Sequence, residues 1–247
     1  MSNFTTAVEL VSRLPVTALA GVSTCVCGAP CDALGGHLFG CVHLDHLRTG
    51  VHDGVQRAAA FMCKCAGFDV VVDSSRQRAA SRYFSPNAWP DFSLRGAVYG
   101  GAHLVSDVRI SACVCPGVAP GGARFAGAVA SVGEAQKHAK YGKLPGGHQF
   151  LPFVIETGGA WGLDACNLFH QCKSRLADSS GGARGVGEYS GDGFPVGLAT
   201  WSANGFSAFH RQCVSVSLQR GLGDFVRAPA GVCRGEVNSG VAFRVGG

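Results

Sequence analysis

Charge is sparse in this sequence: Asp, Glu, Lys and Arg together make up 15% of 247 residues. The formal net charge of +5 is compatible with a nucleic-acid partner. No segment, however, gathers that charge into the basic stripe of a dedicated nucleic-acid binder. Apolar runs long enough to cross a bilayer are missing, so no membrane partner is expected. Residues 1–22 lack a basic leader, and Arg13 and Pro15 interrupt their apolar stretch, so the chain is not expected to be exported and an intracellular location follows. No internal repeat occurs, which excludes solenoids and propellers.

What is abundant is apolar side chains (47%), glycine (37) and cysteine (12). The apolar content excludes a disordered chain, and the length suffices for a proper core. In a reducing compartment the cysteines are free thiols or metal ligands. The close pairs Cys63-Lys64-Cys65 and Cys113-Val114-Cys115 have ligand spacing, but small core residues are their simpler reading. A secreted, disulfide-rich protein is a third class, and it would require cysteine pairs at bonding distance.

Hydrophobic periodicity divides the chain. A short helix over 6–14, stopped at Pro15, belongs to a lead-in segment of residues 1–22. Residues 23–45 are dense in Cys, His and Gly. Leu44, Leu47, Val51, Val55, Ala59 and Met62 recur at helical spacing up to Gly67. Strands are predicted over 68–72, 92–94 and 104–110, then a loop over 116–122. A helix follows over 123–141, with Val129, Val132 and Ala139 on its apolar side, and then a doubly buried strand over 149–157. A further helix runs through Cys166 and Phe169, and residues 179–193 form a Gly-rich loop. The last amphipathic helix spans 206–220, with Gly221 as its stop and a poorly ordered tail from Leu222. The order of elements points to an α/β or α+β core, a small mixed sheet flanked by helices.

Two constellations carry chemistry. In the first, Cys25 and Cys27 flank a turn closed by Gly28, and His37 and Cys41 follow at helical spacing. Two thiolates from one turn and two further ligands would close a tetrahedral, structural Zn²⁺ site. Cys31 or His43 could replace one of the four, and a cluster of buried thiols beside a surface histidine is the alternative. The second constellation is Pro90-Asp91, then Asp107-Val108-Arg109, then Lys137, Lys140 and Tyr141. Asp107 and Arg109 share one face of a strand, and an aspartate from a neighbouring strand could complete a pair of carboxylates for a hard divalent cation. Lys137, Lys140 and Tyr141 stand at i, i+3 and i+4, so one helix face could present all three to that site, where a lysine could orient the water or stabilise charge on the phosphate. Singly, each of these residues also fits a turn, a strand surface or a solvated helix face.

Taken in order, the knuckle, the helix bearing Val51-His52-Asp53-Gly54-Val55, Pro90-Asp91, Asp107-Val108, Lys137-x-x-Lys140-Tyr141 and Pro152-Phe153-Val154-Ile155-Glu156-Thr157 resemble the C-terminal region of site-specific non-LTR retrotransposon polyproteins. There a zinc knuckle precedes a restriction-enzyme-like endonuclease of the PD-(D/E)xK class. The stretch from His210 through Cys213 to Gly221 is similar to the helix that closes such reverse-transcriptase reading frames, and the likeness covers roughly residues 25–221.

The resemblance implies a PD-(D/E)xK nuclease core over 46–175, after a CCHC-like knuckle over 23–45. Residues 176–247 would carry the Gly-rich loop, a closing helix and the tail. It implies a DNA-nicking endonuclease using Mg²⁺ or Mn²⁺ on Asp91 and Asp107, with DNA, and RNA as a second class, as partner. The catalytic lysine would sit on the helix, as Lys137 or Lys140, with Tyr141 beside it. Arg109 occupies the position where an Asp-x-Lys pattern places lysine; it stays protonated and would contact phosphate. His52 matches a basic-His element that contacts nucleic acid, or is a plain helix-face histidine. Glu156 is either a cap or a further ligand. No polymerase palm fits in this length, so the chain is expected to be a detached, truncated or domesticated piece, working in the nucleus beside the reverse-transcriptase portion of a parent polyprotein. The alternative is a catalytically inactive, zinc-stabilised nucleic-acid-binding module or decayed copy.

Overall fold

The computed structural model describes residues 6, 9, 15–72, 90–95, 97, 102–113, 125–142, 144, 147–178 and 203–233. Of the expected lead-in helix, Thr6 and Glu9 are described and helical. The polar stretch over 73–82 and the loops over 116–122 and 179–193 lie outside the described residues, as do Cys115 and residues 234–247.

Two helices come first: α1 (Gly36–Gly40) and the long α2 (Asp45–Cys65). Helix α2 buries Val51, Val55, Ala58, Ala59 and Met62, a stripe at three- and four-residue spacing that faces the core. It ends as the sequence predicts. Gly67 takes the left-handed φ of +80°, and Phe68 N–H bonds back to the Cys63 carbonyl; a side chain at residue 67 would strain that turn.

Strands β1 (Asp69–Val72), β2 (Phe92–Arg95) and β3 (Leu104–Ser106) pair antiparallel in that order, and β5 (Gln149–Phe150) joins β3 in parallel. A second pair, β4 (Val108–Ser111) and β6 (Phe153–Glu156), is also parallel. The single strands expected over 104–110 and 149–157 are thus each broken once, at Asp107 and at Leu151-Pro152. Proline has no N–H to give the ladder, and the Asp107 carbonyl accepts from Phe153 N–H across the break. Helix α3 (Ala128–Tyr141) forms the crossover between the two parallel halves.

Helix α3 starts later than the pattern suggested, after Gly127 at φ +89°. Its buried side is also different. Ala130, Gly133, Glu134 and Tyr141 face inward, whereas Val132 is 57% exposed. Gly133 explains the shift: a Cβ there would lie 2.9 Å from Ser111 Oγ and 3.0 Å from Val154 Cγ1, so the helix approaches β4 and β6 along its smallest residue.

Helix α4 (Leu163–Asp178) follows as expected, and α5 (Ala203–Cys233) closes the described chain. Here the prediction fails. Gly221 does not end the helix, and the segment from Leu222 is not loose: Leu222, Phe225 and Val226 are buried. A Cβ on Gly221 would stand 2.7 Å from Val51 Cα, so this glycine lets α5 cross α2 at backbone contact. The core runs from these helices into the N-terminal region, where Cys25, Leu38 and Cys41 are buried and the Phe39 ring lies tilted against that of Phe225, centroids 5.1 Å apart. The whole is a mixed α/β architecture with small sheets flanked by helices. Among the described residues no helix is long and apolar enough to cross a membrane.

Candidate metal centres

The N-terminal cluster is built by two short devices. Gly28 at φ +85° turns the chain between Cys25 and Ala29, with Gly28 N–H on the Cys25 carbonyl, and brings the two thiols side by side. Asp32 then accepts from the N–H groups of Leu34, Gly36 and His37 at 2.9–3.1 Å, which fixes the first turn of α1 and the start of His37. Burial alone would push the Asp32 carboxyl up, but these three donors hold it below its usual range.

Cys25, Cys27, His37 and Cys41 then meet, with one ligand atom from each within 4.8 Å of every other. Cys41 stands just beyond α1 in extended backbone rather than on the helix face with His37. The Sγ atoms of Cys25 and Cys41 are 3.7 Å apart, and a tetrahedral site with Zn–S of about 2.3 Å has S···S edges of about 3.8 Å. Cys27 Sγ lies 3.1 Å from His37 Nε2. A backbone hydrogen bond at Ala29, with His37 nearby, lowers the Cys27 thiol to about 6, while burial raises Cys25 to about 12. Three thiols and an imidazole in this spacing suit a metal such as zinc. Cys31 and His43, the possible replacements, stand outside the cluster. The ten cysteines whose side chains are described are free thiols, against a disulfide-stapled reading.

The second cluster forms across the sheet. Phe92 pairs with Ser106 in the antiparallel β2–β3 ladder, so Asp91 and Asp107 stand opposite each other one step further on. Asp91 Oδ2 accepts from Val108 N–H at 2.6 Å, and Asp91 N–H donates to the Ser106 carbonyl. From α2, His52 Nε2 reaches Asp91 Oδ2 at 3.1 Å, and Gln56, one turn on, donates to the Asp91 carbonyl at 2.7 Å. Single ligand atoms of His52, Asp91 and Asp107 all lie within 4.8 Å of one another.

From the opposite side, α3 sends two residues to Asp107. Lys137 Nζ is 2.7 Å from Oδ1, and the Tyr141 hydroxyl donates to Oδ2. Lys140 does not join them; it is exposed, with Nζ 5.1 Å from the Tyr141 ring centroid. Of the two lysines, Lys137 is the one placed against Asp107. Arg109 also reaches α3, where Nη1 donates to Gln136 Oε1 at 2.5 Å. Glu156 is a cap: its Oε1 accepts from Val129 and Ala130 N–H at the start of α3.

Electrostatics divide the pair of carboxylates. Burial pushes both up, but the His52 hydrogen bond and charge outweigh it and hold Asp91 below its ordinary value. Asp107 stays raised even with Lys137 beside it, because it is buried and faces Asp91. Burial lowers His52, yet Asp91 and Asp53 carry it to about 9. Burial and the adjacent Asp107 raise the Tyr141 phenol far above its usual range.

The sequence pointed to both clusters but missed two members of the second in these roles: His52 as a third donor and Gln56 as the brace of Asp91. The available signal was their i, i+4 spacing beside the buried Val51 and Val55. Comparison of the chain with protein-family models, curated proteins and solved structures finds no match.

Proposed function

We propose that this chain is a metal-dependent DNA endonuclease of the PD-(D/E)xK type, resting on a zinc-stabilised N-terminal knuckle and related to the nucleases of site-specific retrotransposons. The observation that carries this reading is the convergence of His52, Asp91 and Asp107 within 4.8 Å, with Lys137 Nζ 2.7 Å from Asp107. A buried and a half-buried carboxylate beside a lysine form the donor set of metal-assisted phosphodiester hydrolysis. The imidazole adds a nitrogen donor, which favours Mn²⁺ over Mg²⁺ in a site otherwise made of oxygens.

Each side chain then has a role. Asp91 and Asp107 hold the cation, with His52 as the third ligand and Gln56 keeping Asp91 in place. A bound cation would polarise the phosphate and supply the attacking water. Lys137 stabilises the charge that develops on the phosphate, and the Tyr141 hydroxyl fixes the orientation of Asp107. Arg109 offers guanidinium donors to a neighbouring phosphate. DNA is the proposed substrate and RNA a second class; a reverse transcriptase, as the remainder of a parent polyprotein, and a nuclear location belong to the same reading.

A second reading has an observation of its own. Without a cation both carboxylates already have cationic partners, His52 on Asp91 and Lys137 on Asp107. Such a centre would also serve as the polar core of an inactive, zinc-stabilised nucleic-acid-binding module. Supercoiled plasmid with Mn²⁺ or Mg²⁺ separates the two. The nuclease reading expects nicking that chelation abolishes and that falls at least about a hundredfold in Asp107→Ala and His52→Ala. Unchanged nicking in Asp107→Ala would remove the assignment of cutting to this cluster, and no nicking from the folded, zinc-loaded protein would leave the binding-module reading.

A further inference from the structure

A cavity of about 800 Å³ opens beside the acid cluster, between α2, β4, α3 and α5, and His52 belongs to both. Its lining is of two kinds. Arg48 from α2, ion-paired with Asp45, and Arg109 from β4, bonded to Gln136, bring positive charge to its wall, while Ile110, Val132 and Phe39 contribute apolar surface. Phe39 comes from the N-terminal knuckle, between His37 and Cys41, and Arg48 Nη1 holds its carbonyl at 2.5 Å. Val132 is the exposed residue of α3 that its helical periodicity left unexplained.

Cations alone would suffice to grip the backbone of a duplex, which keeps its base faces stacked and presents phosphates outward. An apolar concavity adds nothing to such contacts. It matches instead the face of a base that has left the stack, and its volume lies in the range of about 300–1,000 Å³ typical of small-ligand sites. Arg48 and Arg109 stand on different elements around the cavity, where a backbone entering and leaving it would meet them. His52 then connects this cavity to the carboxylates.

We infer that this cavity receives one unstacked nucleotide of an unpaired or locally opened DNA strand, with its base against Ile110, Val132 and Phe39 and its phosphates on Arg48 and Arg109. The inference rests on the nuclease reading of the adjacent cluster and narrows its substrate to a strand that is single at the point of contact.

Fluorescence anisotropy on the full, zinc-loaded chain without Mg²⁺ or Mn²⁺ tests it. The probes are a single-stranded oligodeoxynucleotide, the same strand with abasic sites and equal charge, and a blunt duplex. The intact strand should bind about tenfold more tightly than the abasic one, since base stacking is lost while phosphates remain, and more tightly than the duplex. Val132→Glu, on an exposed position that circular dichroism should show still folded, should remove most of that preference, whereas Arg109→Ala, which loses a phosphate contact, should weaken the intact and abasic strands alike. Equal binding of intact and abasic strands, or full preference retained in Val132→Glu, overturns the inference. Plasmid nicking read in parallel keeps the two claims apart. Cutting without base-dependent binding removes this inference alone, and base-dependent binding by a chain that never cuts removes the nuclease reading alone.

Discussion

The two donor clusters of this molecule are opposites in origin and in charge. The cysteine–histidine cluster is local: its four ligands fall between Cys25 and Cys41, and a glycine turn and an aspartate cap fold them together. The acid cluster is assembled from α2 and two strands, over residues from His52 to Asp107, with α3 supplying its cation. In the first, the lowered Cys27 gives up its proton readily, whereas the buried Cys25 needs a metal to do so. The second carries its own counter-charges, His52 and Lys137. The local cluster should therefore depend on metal for its fold, and the distant one should hold its fold without a metal.

The largest effect expected follows from that contrast. Stripping zinc, or replacing Cys41 by Ser, should lower Tm by on the order of 10 °C, because metal binding is folding free energy where the site is preorganised only in the folded chain. Cys25 and Cys41 are buried in the continuous core, so the loss should be felt beyond the knuckle. Withholding Mg²⁺ and Mn²⁺ should leave Tm nearly unchanged. Thermal melts with metal analysis check both. A zinc-free protein that melts at the same temperature would break the comparison.

Within the acid cluster the two lysines separate sharply. Lys137→Met leaves Asp107 buried without its cation and should cost about 2 kcal/mol, less than for a fully buried pair because the raised carboxyl can protonate. Lys140→Met should stay within about 0.5 kcal/mol, as for other exposed positions. Denaturant unfolding of the two variants decides it, and equal losses would mean that Lys137 is not the partner of Asp107. Gly221→Ala should cost about 1–2 kcal/mol by the same measurement, since the new methyl must displace Val51 backbone. A change close to neutral, as for an open position inside a helix, would mean that α5 does not approach the Val51 backbone there.

How much was legible in the sequence follows the same division. The knuckle could be read from spacing because its ligands are near neighbours and the turn glycine lies among them. Asp91 and Asp107 could be nominated, but their meeting depends on the register that sets Phe92 against Ser106. His52 was visible only as a histidine on a helix, since its partner is 39 residues away. Lys137 was distinguishable from Lys140 in principle. Ala130, Gly133, Lys137 and Tyr141 form one stripe at three- and four-residue spacing, but Val129 and Val132 drew the apolar face elsewhere. A glycine-marked contact line is invisible to a search for large apolar residues. Gly221 misled for the same reason, as its role is steric contact with α2 and not helix termination.

The smallest effect concerns pH, and it sets two histidines against each other. His52 belongs to the acid cluster and is carried from 6.5 to about 9 by Asp91 and Asp53, against the pull of burial. His210 lies on α5 among Phe61, Phe206 and Phe209, and burial lowers it from 6.5 to about 4. Where the folded pKa is raised, the fold holds a proton that the unfolded chain has released. The His52 contribution is therefore complete below pH 6.5 and is lost as pH rises through 9. Where it is depressed, the unfolded chain takes the proton first, so the His210 contribution is complete above pH 6.5 and is lost as pH falls through 4. Without Mg²⁺ or Mn²⁺ the protein should thus be less stable on either side of pH 6.5, for two unrelated reasons. Urea midpoints across that range should show His52→Ala flattening only the alkaline limb and His210→Phe only the acid limb. If His52→Ala left the alkaline limb unchanged, the ion pair with Asp91 would contribute nothing to the fold, and the self-neutralised character assigned to the acid cluster would fail with it.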